Sequence, residues 1–150
     1  MAIRNIVKIE DPLLRKQSRD VVEFNEKLWT LLDDMFETMY KAEGCGLAAP
    51  QIGLLRKVIV VDCGKGKLEM INPTIIEMHG EMGGVEGCLS IPGKHGYVMR
   101  AEKIKVEFYT RHGEKKVKTY KDFEARALQH EIDHLNGILY VDRATREIED

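Results

Sequence analysis

Apolar side chains first recur at helical spacing between Asn25 and Glu43, where Leu28, Leu31, Leu32, Met35, Met39 and Ala42 share one face. The pattern predicts an amphipathic helix, with Gly44 just past its end as the left-handed residue that caps the last carbonyls. A breaker-rich stretch, Gly44-Cys45-Gly46-Leu47-Ala48-Ala49-Pro50-Gln51, leads through Gly53 into Lys57-Val58-Ile59-Val60-Val61-Asp62-Cys63, a β-branched run of strand length. Leu68 to Ile76 predicts a further strand that Asn72-Pro73 breaks or confines to a sheet edge, because proline has no N–H for a ladder. Gly80, Gly83, Gly84 and Gly87 predict an irregular segment.

From Lys103 to Thr110 the apolar positions Ile104, Val106 and Phe108 alternate with Lys105, Glu107 and Tyr109, the period of a half-buried strand. Lys115 to Tyr120 reads as its hairpin partner across Arg111-His112-Gly113-Glu114. Asp122 is placed to cap a second helix running from Phe123 to about Asn136 and stopped by Gly137. Strand follows strand, with helices set near both ends, which predicts an α+β fold with mainly antiparallel sheet. No repeat, low-complexity tract or linker interrupts the 150 residues, so one domain spanning 1–150 is expected.

Composition narrows the function classes. With 43% hydrophobic and 32% charged residues the chain is an ordinary globular sequence able to bury a core. Twenty-three basic against 25 acidic residues leave a net charge of −2, so no global positive field exists to hold DNA, RNA or anionic lipid. Met1 to Glu10 carries Arg4, Lys8 and Glu10 and lacks the apolar stretch of a signal peptide, and no run approaches the roughly 18 apolar residues of a membrane span. Three cysteines, Cys45, Cys63 and Cys88, are too few and too odd for a disulfide scaffold. Reduced thiols in the cytoplasm are expected.

The chemistry concentrates in His130-Glu131-Ile132-Asp133-His134, which fits H-E-x-x-H inside the second predicted helix. Positions four apart on a helix differ by about 40°, so the two histidines project from one face and can share a metal ion, with Glu131 beside them and free to reach a water. Leu128, Ile132 and Leu135 supply the apolar face separately, so packing does not require the histidines. A catalytic metal site normally has three protein ligands and one open position. A downstream glutamate is a weak third ligand, because only 16 residues follow His134 and Glu147 and Glu149 lie close to the terminus. The longer pattern ending in a third histidine matches as far as Gly137 but has Tyr140 at its last position. A thiolate is the stronger candidate, since it binds divalent iron or zinc well. Cys88 stands out in Glu86-Gly87-Cys88-Leu89-Ser90, where glycine lets the backbone pass close to another group; Cys63 ends an apolar strand and reads as a core residue, and Cys45, between glycines, reads as a cleft residue.

Taken together, three segments resemble the peptide deformylases. Gly44 to Gln51 is similar to G-x-G-L-A-A-x-Q, Glu86 to Ser90 is E-G-C-L-S, and Gln129 to His134 is Q-H-E-x-D-H, in the family's order and across most of the chain. The resemblance implies antiparallel sheets around a central metal-bearing helix, an N-terminal amphipathic helix, and hydrolysis of the N-formyl group from the initiating methionine of new polypeptides. It implies that Cys88, His130 and His134 hold the metal, most often Fe(2+) with Zn(2+) or another divalent ion as substitute. Glu131 is then general base and acid, while the Gln51 amide and the Leu89 backbone N–H donate to the oxyanion. Gly46 is implied to pair with the extended peptide, and Cys45, Leu89, Phe123, Ala127 and the wall of His130 to form the methionine pocket.

At His95 the family often carries a cleft arginine, and a solvated loop histidine is expected instead. Arg126 stands where an aliphatic residue is frequent, so either its stem lines the pocket with its guanidinium in water, or it faces solvent. Glu43 and Arg100 are expected to pair behind the first motif, and Asp133 is a candidate for orienting a histidine. The short acidic ending Arg143 to Asp150 lacks the basic helix with which relatives dock on the ribosome, so ribosome contact is expected to be weak and transient. Two rival readings share part of these features. A zincin-like metallopeptidase would cleave internal bonds without needing Gln51, and a non-catalytic metal- or peptide-binding module would not need Glu131.

Overall fold

Val58, Ile59, Val60 and Val61 are all fully buried, so both faces of that strand must be covered, and the fold is organised around it. The computed structural model of the chain describes residues 2–148. Its larger sheet has five antiparallel strands in the order β1 (Gly46–Ala48), β2 (Val58–Val61), β3 (Leu68–His79), β6 (Lys103–Tyr109) and β7 (Lys115–Lys121). Helix α1 (Glu26–Lys41) covers one face, packing Leu28, Leu31, Leu32, Met35 and Met39 on Leu47, Val58, Val60 and Ile71. Helix α2 (Asp122–Leu135) covers the other, packing Ala125, Leu128, Ile132 and Leu135 on Ile59, Val61, Met70, Ile104 and Val106. A second antiparallel sheet has the order β4 (Met82–Cys88), β5 (Ile91–Arg100) and β8 (Arg146–Ile148), with Leu14, Ile91, Val98, Leu139 and Tyr140 as its core. Tyr140–Arg143 forms the single-turn helix α3. The expected α+β class with mainly antiparallel sheet is what the chain adopts.

Several local expectations are corrected, each by a neighbour distant in sequence. The Asn25 side chain caps α1, but at the other end Glu43, not Gly44, takes the left-handed conformation (φ 59°). Gly44 N–H then bonds Met39 C=O and Glu43 N–H bonds Tyr40 C=O, both at 3.0 Å, the paired hydrogen bonds of a Schellman cap. Gly44 is needed for another reason: a Cβ there would lie 2.7 Å from Leu89 Cδ1. The Asn72-Pro73 pair neither breaks β3 nor puts it at an edge. The register shifts between Ile71 and Thr74, and Asn72 at φ 51° directs its side chain to both the N–H and the C=O of Val21, so the proline sits in a bulge inside the sheet. The Gly80–Gly87 segment is largely strand β4, because Gly83 makes room for the Tyr97 ring and Gly84 for the Arg126 guanidinium. Asp122 does not cap α2 from outside; it is the helix's first residue, left-handed at φ 57°, with its N–H on Glu102 C=O at 2.8 Å. His95 lies in β5 rather than in a solvated loop.

Gly137 ends α2 as expected, at φ 72°, and a Cβ on it would strike the Arg15 carbonyl. Gly137→Ala should therefore destabilise the fold by about 2–3 kcal/mol through combined backbone strain and clash. Urea unfolding checks this as a lower midpoint at unchanged slope; a loss under about 0.5 kcal/mol would contradict it. No helix among the described residues is long and apolar enough to cross a membrane. Glu149 and Asp150, part of the acidic ending, lie outside the described residues.

Candidate active site

The core packing of α2 fixes where its polar residues go. With Leu128, Ile132 and Leu135 against the larger sheet, His130, Glu131 and His134 are buried on the side where β4 ends. Cys88 and Ile91 pair across a two-residue turn at Leu89-Ser90, which leaves Cys88 at the tip of β4. Its Sγ is 3.4 Å from His134 Nε2, and one ligand atom from each of Cys88, His130 and His134 lies within 4.8 Å of the others. The two imidazoles meet nearly edge to face at 5.1 Å, and Tyr140 stacks on His130 with ring centres 6.1 Å apart.

Glu86, two residues before Cys88, saturates its carboxylate with four donors. Arg100 binds it through two nitrogens at 2.8 Å each, Arg126 Nη1 reaches Oε2 at 2.6 Å, and His130 Nδ1 lies 2.9 Å from Oε1. Burial alone would raise the Glu86 pKa, but the hydrogen bonds from Arg100 and His130 outweigh it and hold the carboxyl well below the usual range. An ionised carboxylate only accepts, so Nδ1 of His130 carries the proton and Nε2 presents its lone pair. Glu86 is thus the histidine-orienting residue, in place of the expected Asp133. Asp133 instead bridges Arg100 and Arg143. Arg100 pairs with Glu86 and Asp133 rather than with Glu43. Arg126 lines the cleft, as one of its two expectations had it, but its guanidinium is buried rather than in water.

The donor set fits a divalent cation. Burial works against a proton on His130, yet the nearby Glu131, Cys88 and Glu86 raise its pKa well above normal, and surroundings that favour a proton favour a metal ion. In His134 burial prevails and lowers the pKa, keeping the ring in the neutral form a ligand needs. Glu131 Oε1 and His134 Nδ1 are buried without a hydrogen-bond partner among the described residues, and orphaned polar atoms of this kind ordinarily meet an ion or water. Burial pushes the Glu131 carboxyl up to about 7.

These groups open onto a cleft of about 350 Å³ lined by Cys45, Gly46, Gln51, Leu89, Phe123 and Ala127 among others. Gly46 must lack a side chain, since a Cβ would collide with the Glu131 carboxylate. The Gln51 amide is held at both ends: its Oε1 accepts from Ala48 N–H at 2.9 Å, and its Nε2 donates to Ser90 Oγ at 3.1 Å and faces Cys88 Sγ at 3.5 Å. Ala127 lines the cleft and also packs in the α2 core. Phe123 remains 55% exposed at the rim. His95 also lines the cleft, against Gly87. Cys63 packs against the α2 core and hydrogen-bonds Cys45; this bond first, with His130 nearby, draws the Cys45 thiol down to about 6 and, with burial, pushes Cys63 far up.

Sequence reasoning missed the roles of Arg100, Ser90 and Tyr140, and of Glu86 as an orienting group. The available signal was an acidic residue inside the E-G-C-L-S motif, two positions before the candidate thiol ligand.

The profile of the polypeptide deformylase family matches residues 3–149. A peptide deformylase of Thermoanaerobacter pseudethanolicus is 51% identical over 150 residues, all of this chain and 94% of the relative. The crystal structure of peptide deformylase from Thermotoga maritima superposes with a TM-score of 0.94 at 39% identity, covering 96% of this chain and 99% of that one. One from Legionella pneumophila gives 0.91 at 46% identity, over 95% and 86%. Neither a zincin-like peptidase nor a non-catalytic binding module is favoured by such matches. Similarity of this extent, in sequence and in fold, means that the chain belongs to the polypeptide deformylase family.

Proposed function

We infer that this chain hydrolyses the N-formyl group from the N-terminal formyl-methionine of nascent polypeptides, releasing formate and a free amine. The observation that carries the reading is the convergence of one thiol, two imidazoles, an orphaned buried carboxylate and a fixed carboxamide on one cleft. Cys88, His130 and His134 would hold the metal, ferrous iron, with zinc able to take its place; the ion would supply Lewis acidity to the formyl carbonyl and to a water. Glu131 takes a proton from that water as its oxygen bonds to the formyl carbon, and returns it to the nitrogen as the C–N bond breaks. The Gln51 Nε2 and the Leu89 N–H donate to the oxygen on which charge develops. Gln51 is held for this by Ala48 at its other end, and the N–H that faces Cys88 Sγ at 3.5 Å is the one left to donate while the other stays on Ser90 Oγ.

Strand β1 is an edge of its sheet, so Gly46 can pair with an extended peptide there. Cys45, Leu89, Phe123 and Ala127 would enclose the methionine side chain, with residues 1–150 serving as one catalytic unit. The reading places the protein in the cytoplasm, where nascent chains emerge, and a net charge of −2 favours only weak, transient ribosome contact.

Protein loaded anaerobically with iron should release formate from formyl-methionyl peptides, and no release would overturn the reading. Because iron and a partly exposed thiolate both oxidise, the iron form should lose most activity within hours in air, while the zinc form keeps its lower activity. Iron-form activity and metal content unchanged under air would count against iron.

A further inference from the structure

Arg126 is 4% exposed and carries a charge that the deformylation reading does not use. Its Nη1 donates to Glu86 Oε2 at 2.6 Å and to Val98 C=O at 3.0 Å, and its Nη2 donates to Met82 C=O at 2.5 Å. The guanidinium therefore leaves α2 and fastens to three points on β4 and β5. The backbone opposite has been cleared for it, since a Cβ on Gly84 would lie 3.1 Å from both Cζ and Nε of Arg126.

The location matters because the three metal-ligating candidates come from two separately packed elements. His130 and His134 ride on α2, whose apolar face packs on the larger sheet. Cys88 belongs to the smaller sheet. Side-chain hydrogen bonds tie the two together: Arg126 to Met82, Glu86 and Val98, His130 to Glu86, and Asp133 to Arg100. Within this set Arg100 already grips both oxygens of Glu86. Arg126 adds what Arg100 does not: a direct link from the helix one turn before His130 to the strand that ends in Cys88, and the fourth donor that completes the Glu86 carboxylate.

We propose that Arg126 is a positioning residue that sets the spacing between the histidine pair on α2 and the thiol on β4, and that locks Glu86 against His130. It borders the cleft, but its guanidinium nitrogens are bonded to Glu86, Val98 and Met82. The proposal rests on the deformylase reading for its purpose, but its first consequence is on metal retention, which can be read whether or not the protein deformylates anything.

The test compares parent, Arg126→Lys and Arg126→Leu, each loaded with Co(2+) and with Zn(2+). Four measurements are made: dissociation constant against a chromophoric chelator, the cobalt visible spectrum, thermal midpoint, and steady-state kinetics of formate release. Arg126→Leu should weaken metal binding about 10- to 100-fold and alter the cobalt spectrum, with kcat falling while KM stays within about twofold. Arg126→Lys should recover part of each change, since one ammonium can keep the Glu86 contact but not the three-point brace. Gly84→Ala, which crowds the guanidinium without deleting it, should shift metal binding in the same direction by less and serves if Arg126→Leu does not fold. A lowered thermal midpoint with metal affinity and spectrum equal to the parent's would reduce Arg126 to a structural residue and overturn the proposal. Absence of formate release from the parent would instead overturn the functional reading and leave the metal comparison intact.

Discussion

Glu131→Ala should lower kcat for formate release by about 10²- to 10⁴-fold, the usual contribution of a positioned general base, while leaving metal content equal to the parent's. At about 1.4 kcal/mol per factor of ten, that is roughly 3–5 kcal/mol of barrier from one carboxylate. The same substitution should not weaken the fold. Glu131 is buried, its Oε1 has no hydrogen-bond partner among the described residues, and burial raises its pKa to about 7, so the carboxylate is held at a cost to folding rather than for its benefit. Removing it should leave the urea midpoint unchanged or higher, the trade expected of a group kept for chemistry. Formate release by anaerobic stopped assay, metal analysis and urea unfolding on one preparation test all three parts. Activity within tenfold of the parent would remove Glu131 from the proton transfer. Retained activity loss with lost metal would make it a support of the site rather than a base.

The contrast between what the sequence discloses and what it withholds follows the range of the forces involved. Helix α1 and helix α2 were legible because their apolar stripes lie within a few turns, and the β6–β7 hairpin because its alternation and its turn are adjacent. The His130–His134 pair was legible for the same reason, one helical turn being a local distance. The local pattern of β3 misleads because its tolerance of Pro73 depends on Asn72 reaching Val21, 51 residues earlier. The local pattern of β4 misleads because its glycines answer to Tyr97 and Arg126, which no local pattern brings near. Cys88 could be ranked as a ligand by residue type, but the Glu86 network spans separations of 14, 40 and 44 residues to Arg100, Arg126 and His130. Local sequence therefore points the Arg126 guanidinium to solvent, as for a lone arginine, whereas the distant Glu86 carboxylate draws it inside.

That carboxylate supports the second large effect. Glu86→Ala should destabilise the protein by about 3–5 kcal/mol, since deleting one partner of a buried ion pair leaves the others charged, desolvated and unpaired. At roughly 2–4 °C per kcal/mol for a chain near this size, the thermal midpoint should fall by about 6–20 °C. Arg100 would retain Asp133, and Arg126 would retain two carbonyls, but His130 Nδ1 would lose its acceptor and with it the fixed tautomer. Glu86→Gln should be little better, because an amide NH₂ placed on either side meets only donors: Arg100 and His130 on one, Arg100 and Arg126 on the other. The pH dependence has a definite sign. Glu86 is held below its unfolded pKa of about 4.3, so its contribution is complete above that value and is lost as pH falls further; chelated parent protein should therefore show a steeper acid loss of stability than chelated Glu86→Ala. A Glu86→Gln protein within about 1 kcal/mol of the parent would show that the network is solvated and weak. The decisive comparison is the simultaneous change Glu86→Leu, Arg100→Met, Arg126→Leu. Buried ion networks are often replaceable by apolar groups without net loss of stability, so this variant should recover much of the lost midpoint. It should not recover metal affinity, because leucine cannot accept the His130 proton. Recovered folding without recovered binding would separate the two uses of Glu86, and would explain why two arginines are buried around one carboxylate where leucine and methionine would hold the fold as well.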